Sequence, residues 1–87
     1  MNVTEVKTKV ISEENEYVSF AIKALVENNS KDTEVMVELQ GLDNEGFEIF
    51  SIFLKGSIEV GESKFLTLKE DYVKKDIFDQ IVQWQTR

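Results

Sequence analysis

Val18, Phe20, Ile22, Ala24 and Val26 occupy every second position, and Val35, Val37 and Leu39 do the same after the polar break Asn28-Asn29-Ser30-Lys31-Asp32. A side chain returns to the same side every two residues only in an extended strand, so each run is a strand with one dry face. So short a break between two half-buried strands makes an antiparallel pair the simplest expectation. The first predicted strand covers residues 3–11, with Val6 and Val10 beside Thr4 and Thr8, and Ser12-Glu13-Glu14-Asn15 follows as a polar turn. The strand carrying the clean apolar face then covers residues 16–27, and the next covers residues 33–42.

Asp43-Asn44-Glu45-Gly46 has the composition of a four-residue hairpin loop, with Gly46 at the left-handed position. That loop sets Leu42 opposite Phe47, Leu39 opposite Phe50, Val37 opposite Ile52 and Val35 opposite Leu54, so every inward pair is apolar. The strand after it, residues 47–54, is apolar on both faces: Phe50, Ile52 and Leu54 on one, Phe47, Ile49 and Phe53 on the other. Beyond Ser57-Ile58-Glu59-Val60 and a turn at Gly61-Glu62, residues 63–69 alternate again. The C-terminal stretch has two readings. Val73, Ile77, Ile81 and Trp84 fit one helix over residues 71–85, whereas Val82 and Trp84 alternating with Gln83 and Gln85 fit a last strand after a short helical turn. The second is preferred.

Six to seven short strands with polar turns, and a short helical turn near the C-terminus, predict an all-β chain folded as an antiparallel β-sandwich. The layout Val26-x-Asn28-x-Ser30, Val35-x-Val37-x-Leu39, Asp43-x-x-Gly46 and Leu54-x-Gly56-x-Ile58-x-Val60-Gly61-Glu62-Ser63 resembles small immunoglobulin-like and fibronectin-III-like modules, FxLYD-type domains among them. The resemblance covers residues 24–68. The Phe-x-Leu-Tyr-Asp motif that names the family is missing, as is the cysteine pair of antibody domains. What it implies is an immunoglobulin-like sandwich and a bias toward extracytoplasmic or accessory roles, with no shared activity to carry onto residues of this chain.

At 87 residues the chain has room for one core, and 41% apolar with 31% charged residues is an ordinary globular balance. Ten basic residues against 17 acidic ones give a formal charge of −7, which disfavours nucleic acid and anionic membrane surfaces as partners. As it stands the chain reads as cytoplasmic, or as extracytoplasmic if it is a mature fragment. There is no histidine and no cysteine, which removes the common general base, the thiolate nucleophile and the favoured metal ligands. No enzyme activity and no cofactor are therefore expected. The 43–46 loop offers oxygen ligands for calcium, but the same residues are needed for the turn itself. Asn2-Val3-Thr4 and Asn28-Asn29-Ser30 match the glycosylation pattern, the second where a turn is required.

Two functional readings remain. The outward side of the two-faced strand joins Met36, Leu42, Phe47, Ile49 and Phe53 into an apolar patch, the mark of a contact with another protein chain or with a second copy as a homodimer. The competing account has residues 71–78 fold back and cover that patch with Val73, Ile77 or Phe78. The alternative function is a small-ligand or carbohydrate site that stacks on Trp84, Tyr72 and Tyr17.

Overall fold

A computed structural model gives the fold and describes residues 1–86. The chain runs β1 (Asn2–Glu14), β2 (Tyr17–Glu27), β3 (Glu34–Leu42), β4 (Glu48–Ser57), β5 (Ser63–Lys74), α1 (Lys75–Gln80) and β6 (Gln83–Thr86). The strands form two antiparallel three-stranded sheets, in the orders β1-β2-β5 and β4-β3-β6. One core fills the space between them. Val18, Phe20, Ile22, Ala24 and Val26 on β2 face Val35, Val37 and Leu39 on β3, joined by Ile52, Leu54, Ile58, Leu66 and Val73. No helix among the described residues is long and apolar enough to cross a membrane.

The two strands with the clearest alternation are not a hairpin. β2 lies in one sheet and β3 in the other, so the pairing expected across the break at residues 28–33 does not form. Alternation fixes which face of a strand is dry, and a dry face is satisfied by a strand stacked above it as well as by one in its own sheet. The break therefore serves as a crossing between layers. Asn28 anchors it, with none of its surface exposed. Its Nδ2 donates to the Asp32 and Ile58 carbonyls, each at 2.7 Å. Its Oδ1 accepts from Ser30 N at 3.0 Å and Ser30 Oγ at 2.6 Å. Its backbone N–H donates to the Glu62 carbonyl, and its own carbonyl accepts from Gly61 N. One amide thus ties the end of β2, the crossing and the β4–β5 turn together, and every polar atom of it is used.

The β3–β4 hairpin also differs in register. The pairs are Leu39 with Ile52, Val37 with Leu54, Val35 with Gly56, and Leu42 with Glu48, in place of the expected partners Phe50, Ile52, Leu54 and Phe47. Asp43 N donates to the Phe47 carbonyl, which tightens the loop tip, and a register shift between Gly41 and Leu42 then inserts Ile49 as a bulge. The net displacement is two residues. Two is a full strand period, so Ile52 and Leu54 keep their inward direction.

β1 runs farther than expected, and the turn after it shrinks to Asn15-Glu16, with Asn15 at φ 52°. A register shift between Thr4 and Lys7 sits where Glu5 takes φ 51°. Val3 and Val6 are three apart and would face opposite ways in a regular strand, yet both pack on the core. The bulge reconciles them. It also leaves Thr4 on the outer face, opposite Leu25, and places Thr8 opposite Ile22, so these two threonines do not share a side as the simple alternation had them.

At the C-terminus the short helical turn followed by a strand is what forms. The stretch before it, ambiguous in the sequence, is strand: β5 continues through a register shift opposite Phe20 and Ile22 and delivers Val73 opposite Val18. Phe78 from α1 and Trp84 from β6 close one end of the core around Phe20, with ring centroids 5.2 and 6.3 Å from it. Gly41 lets Ile81 approach, since a Cβ there would lie 3.0 Å from Ile81 Cδ1.

Candidate interaction surfaces

The outward positions of the β4-β3-β6 sheet follow from its register. Met36 stands opposite Lys55, Glu38 opposite Phe53 and Gln40 opposite Ser51. Met36 and Phe53 are therefore diagonal neighbours on one face, within reach of each other. They are 55% and 48% exposed. Phe47, 65% exposed, sits at the hairpin tip, held by its own N–H donating to Asp43 Oδ1 at 2.9 Å. Glu45 N donates to the same oxygen, and Gly46 takes φ 85°. The 43–46 loop thus spends its carboxylate on turn geometry, and no group of three or more acidic side chains among the described residues is placed to hold a metal ion.

Two members of the expected patch do not belong to an open surface. Leu42 is buried, at 7% exposure, and Ile49 is half-buried in the bulge. Both departures come from the register shift, which turns the strand at the point where the regular pleat would have kept these side chains outward. The segment expected to cover the patch is elsewhere: Val73 is in the core, and Ile77 and Phe78 pack against its end. Among the described residues nothing covers Met36 or Phe53.

Of the aromatics considered for ligand stacking, Trp84 is a partly buried core residue opposite Gly41. Tyr17 and Tyr72 are exposed and share the outer face of the other sheet, beside a shallow depression of about 250 Å³ that Ser12, Glu14 and Ser19 also line. Ser12 and Ser19 bond hydroxyl to hydroxyl at 2.8 Å under it. Glu70 beside Tyr72 holds that phenol above its ordinary pKa, because a nearby carboxylate disfavours the phenolate. The three-aromatic platform is not assembled, since Trp84 is on a different part of the molecule from the two tyrosines.

A concavity of about 520 Å³ lies between the β1–β2 turn and α1 and is lined by Asn15, Glu16, Lys74, Lys75, Asp76 and Asp79. Lys75 ion-pairs with Glu13 at 2.8 Å and approaches Asp79 at 3.7 Å, and the hydrogen bond it donates to Glu13 is the main reason its pKa is raised. These are exposed groups that satisfy one another, with none of the burial that prepares a catalytic carboxylate.

Sequence reasoning passed over two features. Asn28 was legible only as a turn residue, although an Asn two residues before a Ser is the pattern of a side chain that caps its own turn. Its complete burial also leaves no room for a glycan at the second glycosylation pattern in the folded domain. The other is a group of lysines on the outer face of the β1-β2-β5 sheet, which comes together only through the β1 bulge. No protein-family model, curated protein or solved structure matches the chain.

Proposed function

We propose that this chain is a non-catalytic, immunoglobulin-like module of the FxLYD kind that works by protein–protein contact through the outer face of its β4-β3-β6 sheet. One observation carries the reading: Met36 and Phe53, two large apolar side chains, stand as diagonal neighbours and about half exposed, with none of the described residues over them. Apolar area left in water is unfavourable at about 25 cal/mol per Å², and a neighbouring chain is the usual means of removing it. The absence of histidine and cysteine and the pairing of Lys75 with Glu13 in the concavity beside α1 support a binding role over a chemical one.

The test is the double variant Met36→Lys with Phe53→Lys, compared with the unaltered chain by sedimentation and by chemical crosslinking to co-expressed proteins. Both positions are outward, so the melting temperature should stay within a few degrees while the concentration-dependent mass or the crosslinked partner is lost. Unchanged association in a folded double variant would refute the assignment of this face.

A further inference from the structure

The outer face of β1-β2-β5 is not flat. Across its three strands one row of outward residues runs Ser12, Ser19, Tyr72, and the next runs Glu14, Tyr17, Lys74. Two serines set beside two tyrosines leave a hollow in the sheet surface, the depression of about 250 Å³ that these residues line. Tyr17 and Tyr72 are diagonal neighbours across the β2–β5 ladder, 49% and 62% exposed. Neither ring packs on another ring or under a lysine among the described residues, where the ring contacts are those of Phe20 and the one cation over a ring is Lys23 on Phe65.

The floor of the hollow is polar and its rim is negative. Ser12 and Ser19 share one hydroxyl hydrogen at 2.8 Å, and each brings one of its own, so a second is left to donate even though Ser19 is only 2% exposed. Glu14 forms no ion pair among the described residues, the two present being those of Lys75. Glu70 foremost, and also Glu14, raise the pKa of the Tyr72 phenol, the response of that wall to negative charge around it. Lys74 lines the concavity beside α1, and Lys7, Lys9 and Lys23 border a separate hollow over Ala21 farther along the face. Among the described residues no lysine lines the hollow between the tyrosines.

Two open aromatic rings, a carboxylate without a partner cation and a hydroxyl floor are the elements that hold an organic cation. A methylated ammonium suits them better than a bare one, because it is more weakly hydrated and its methyl groups lie against the rings. The hollow is smaller than the roughly 300–1,000 Å³ that drug-sized ligands occupy, which sets the scale of the guest. We infer that the Tyr17–Tyr72 hollow binds a methylated ammonium group, held by the two rings and Glu14, with an oxygen of the ligand accepting from the serine pair. The site lies on the sheet opposite the Met36–Phe53 face and stands whether or not that face is a contact surface.

Backbone amide shifts in nuclear magnetic resonance test this, with choline as the probe at fixed ionic strength. Choline should move the amides of Ser12, Glu14, Tyr17, Ser19 and Tyr72 and leave the β4-β3-β6 sheet still, with a dissociation constant on the order of 1–10 mM for so small a ligand. Its neutral isostere, with a tert-butyl group in place of the trimethylammonium, should bind at least about fivefold more weakly. Tyr17→Leu, Tyr72→Leu and Glu14→Gln, each confirmed as folded by circular dichroism, should weaken choline by about two- to fivefold apiece. Glu27→Gln removes the same charge from the far end of the same face and should leave the affinity unchanged. A trimethyl-lysine peptide and phosphatidylcholine vesicles, run beside free choline, distinguish the sources of the group, the tightest of the three naming it. Shifts that are absent or scattered up to about 50 mM choline would overturn the inference. Glucose or the neutral isostere binding as well as choline would overturn it in favour of a neutral ligand, and an equal loss in Glu27→Gln would reduce it to diffuse attraction toward an acidic chain.

Discussion

Replacing Asn28 by alanine removes four side-chain hydrogen bonds at a position with no exposure to solvent. The Ile58 carbonyl loses the donor that reaches it inside the fold, and a stranded buried carbonyl costs about 1–3 kcal/mol. The bonds to Asp32 and Ser30 lie nearer the surface, where water replaces part of each, so they contribute about 1 kcal/mol or less apiece. The sum is about 3–5 kcal/mol, in a domain whose whole stability is of order 4–13 kcal/mol at about 0.05–0.15 kcal/mol per residue. At about 4–8 °C per kcal/mol, the melting temperature should fall by more than about 12 °C. Urea unfolding followed by circular dichroism and by Trp84 fluorescence measures the loss. Asn28→Asp keeps the shape and changes only the donors. Its buried carboxyl should bind a proton more tightly folded than unfolded, so this variant loses stability as pH rises from about 4 through the raised folded pKa. A cost below about 1 kcal/mol for the alanine variant, or an aspartate variant indifferent to pH, would mean that water reaches the site and that the crossing is held by other contacts.

Phe20, fully buried against Phe50, Phe78 and Trp84, should cost about 3–5 kcal/mol when cut to alanine, and a loss near 1 kcal/mol in urea would show that the core closes over the gap. Gly56→Ala puts a Cβ 2.6 Å from Leu66 Cδ2 and should destabilise by about 1–3 kcal/mol, with partial recovery in the double variant with Leu66→Val. Lys75 has its pKa raised by Glu13, so the contribution of the pair is present below the unfolded value of about 10.4 and is lost as pH rises through the folded one. Melting curves of Lys75→Gln and the unaltered chain should therefore converge in alkaline solution, and a gap that widens there would contradict the pairing.

The dry faces of β2, β3 and β4 were legible because period-two alternation is a property of one strand and its burial. Partnership was not, because the same dry face is produced by a neighbour in the sheet and by one stacked above it. Register was lost by two residues at β3–β4, one because the loop closes at Phe47 and one because the Ile49 bulge carries no glycine to announce it. The lysine face was hidden for a related reason. Extending the pairing of Thr4 with Leu25 without a bulge would bring Lys7 opposite Ile22, on the inside, and the extra residue at Glu5 is what turns it out to Lys23. Of the proposed contact surface, Met36, Phe47 and Phe53 were legible from alternation, while the burial of Leu42 followed from the hairpin irregularity that alternation does not encode.

The order of strands along the chain is interleaved between the layers: β1, β2 and β5 build one sheet, β3, β4 and β6 the other. No single cut separates a complete sheet from the rest. β2 meets β5 only after the whole β3–β4 hairpin has been laid across it, and β6 joins β3 last. The entropy of closing those long loops must be spent before the pairings that reward it exist, which places the chain among slow folders on the millisecond-to-second scale. It also makes the transition all or none, since half of the chain has no layer to rest on. A ribosome releasing this chain would hold β2 paired on one edge only, with β1, until the residues of β5 emerge to take the other edge. Synthesis rate and chaperone access therefore bear on its yield more than the stability of the finished fold does.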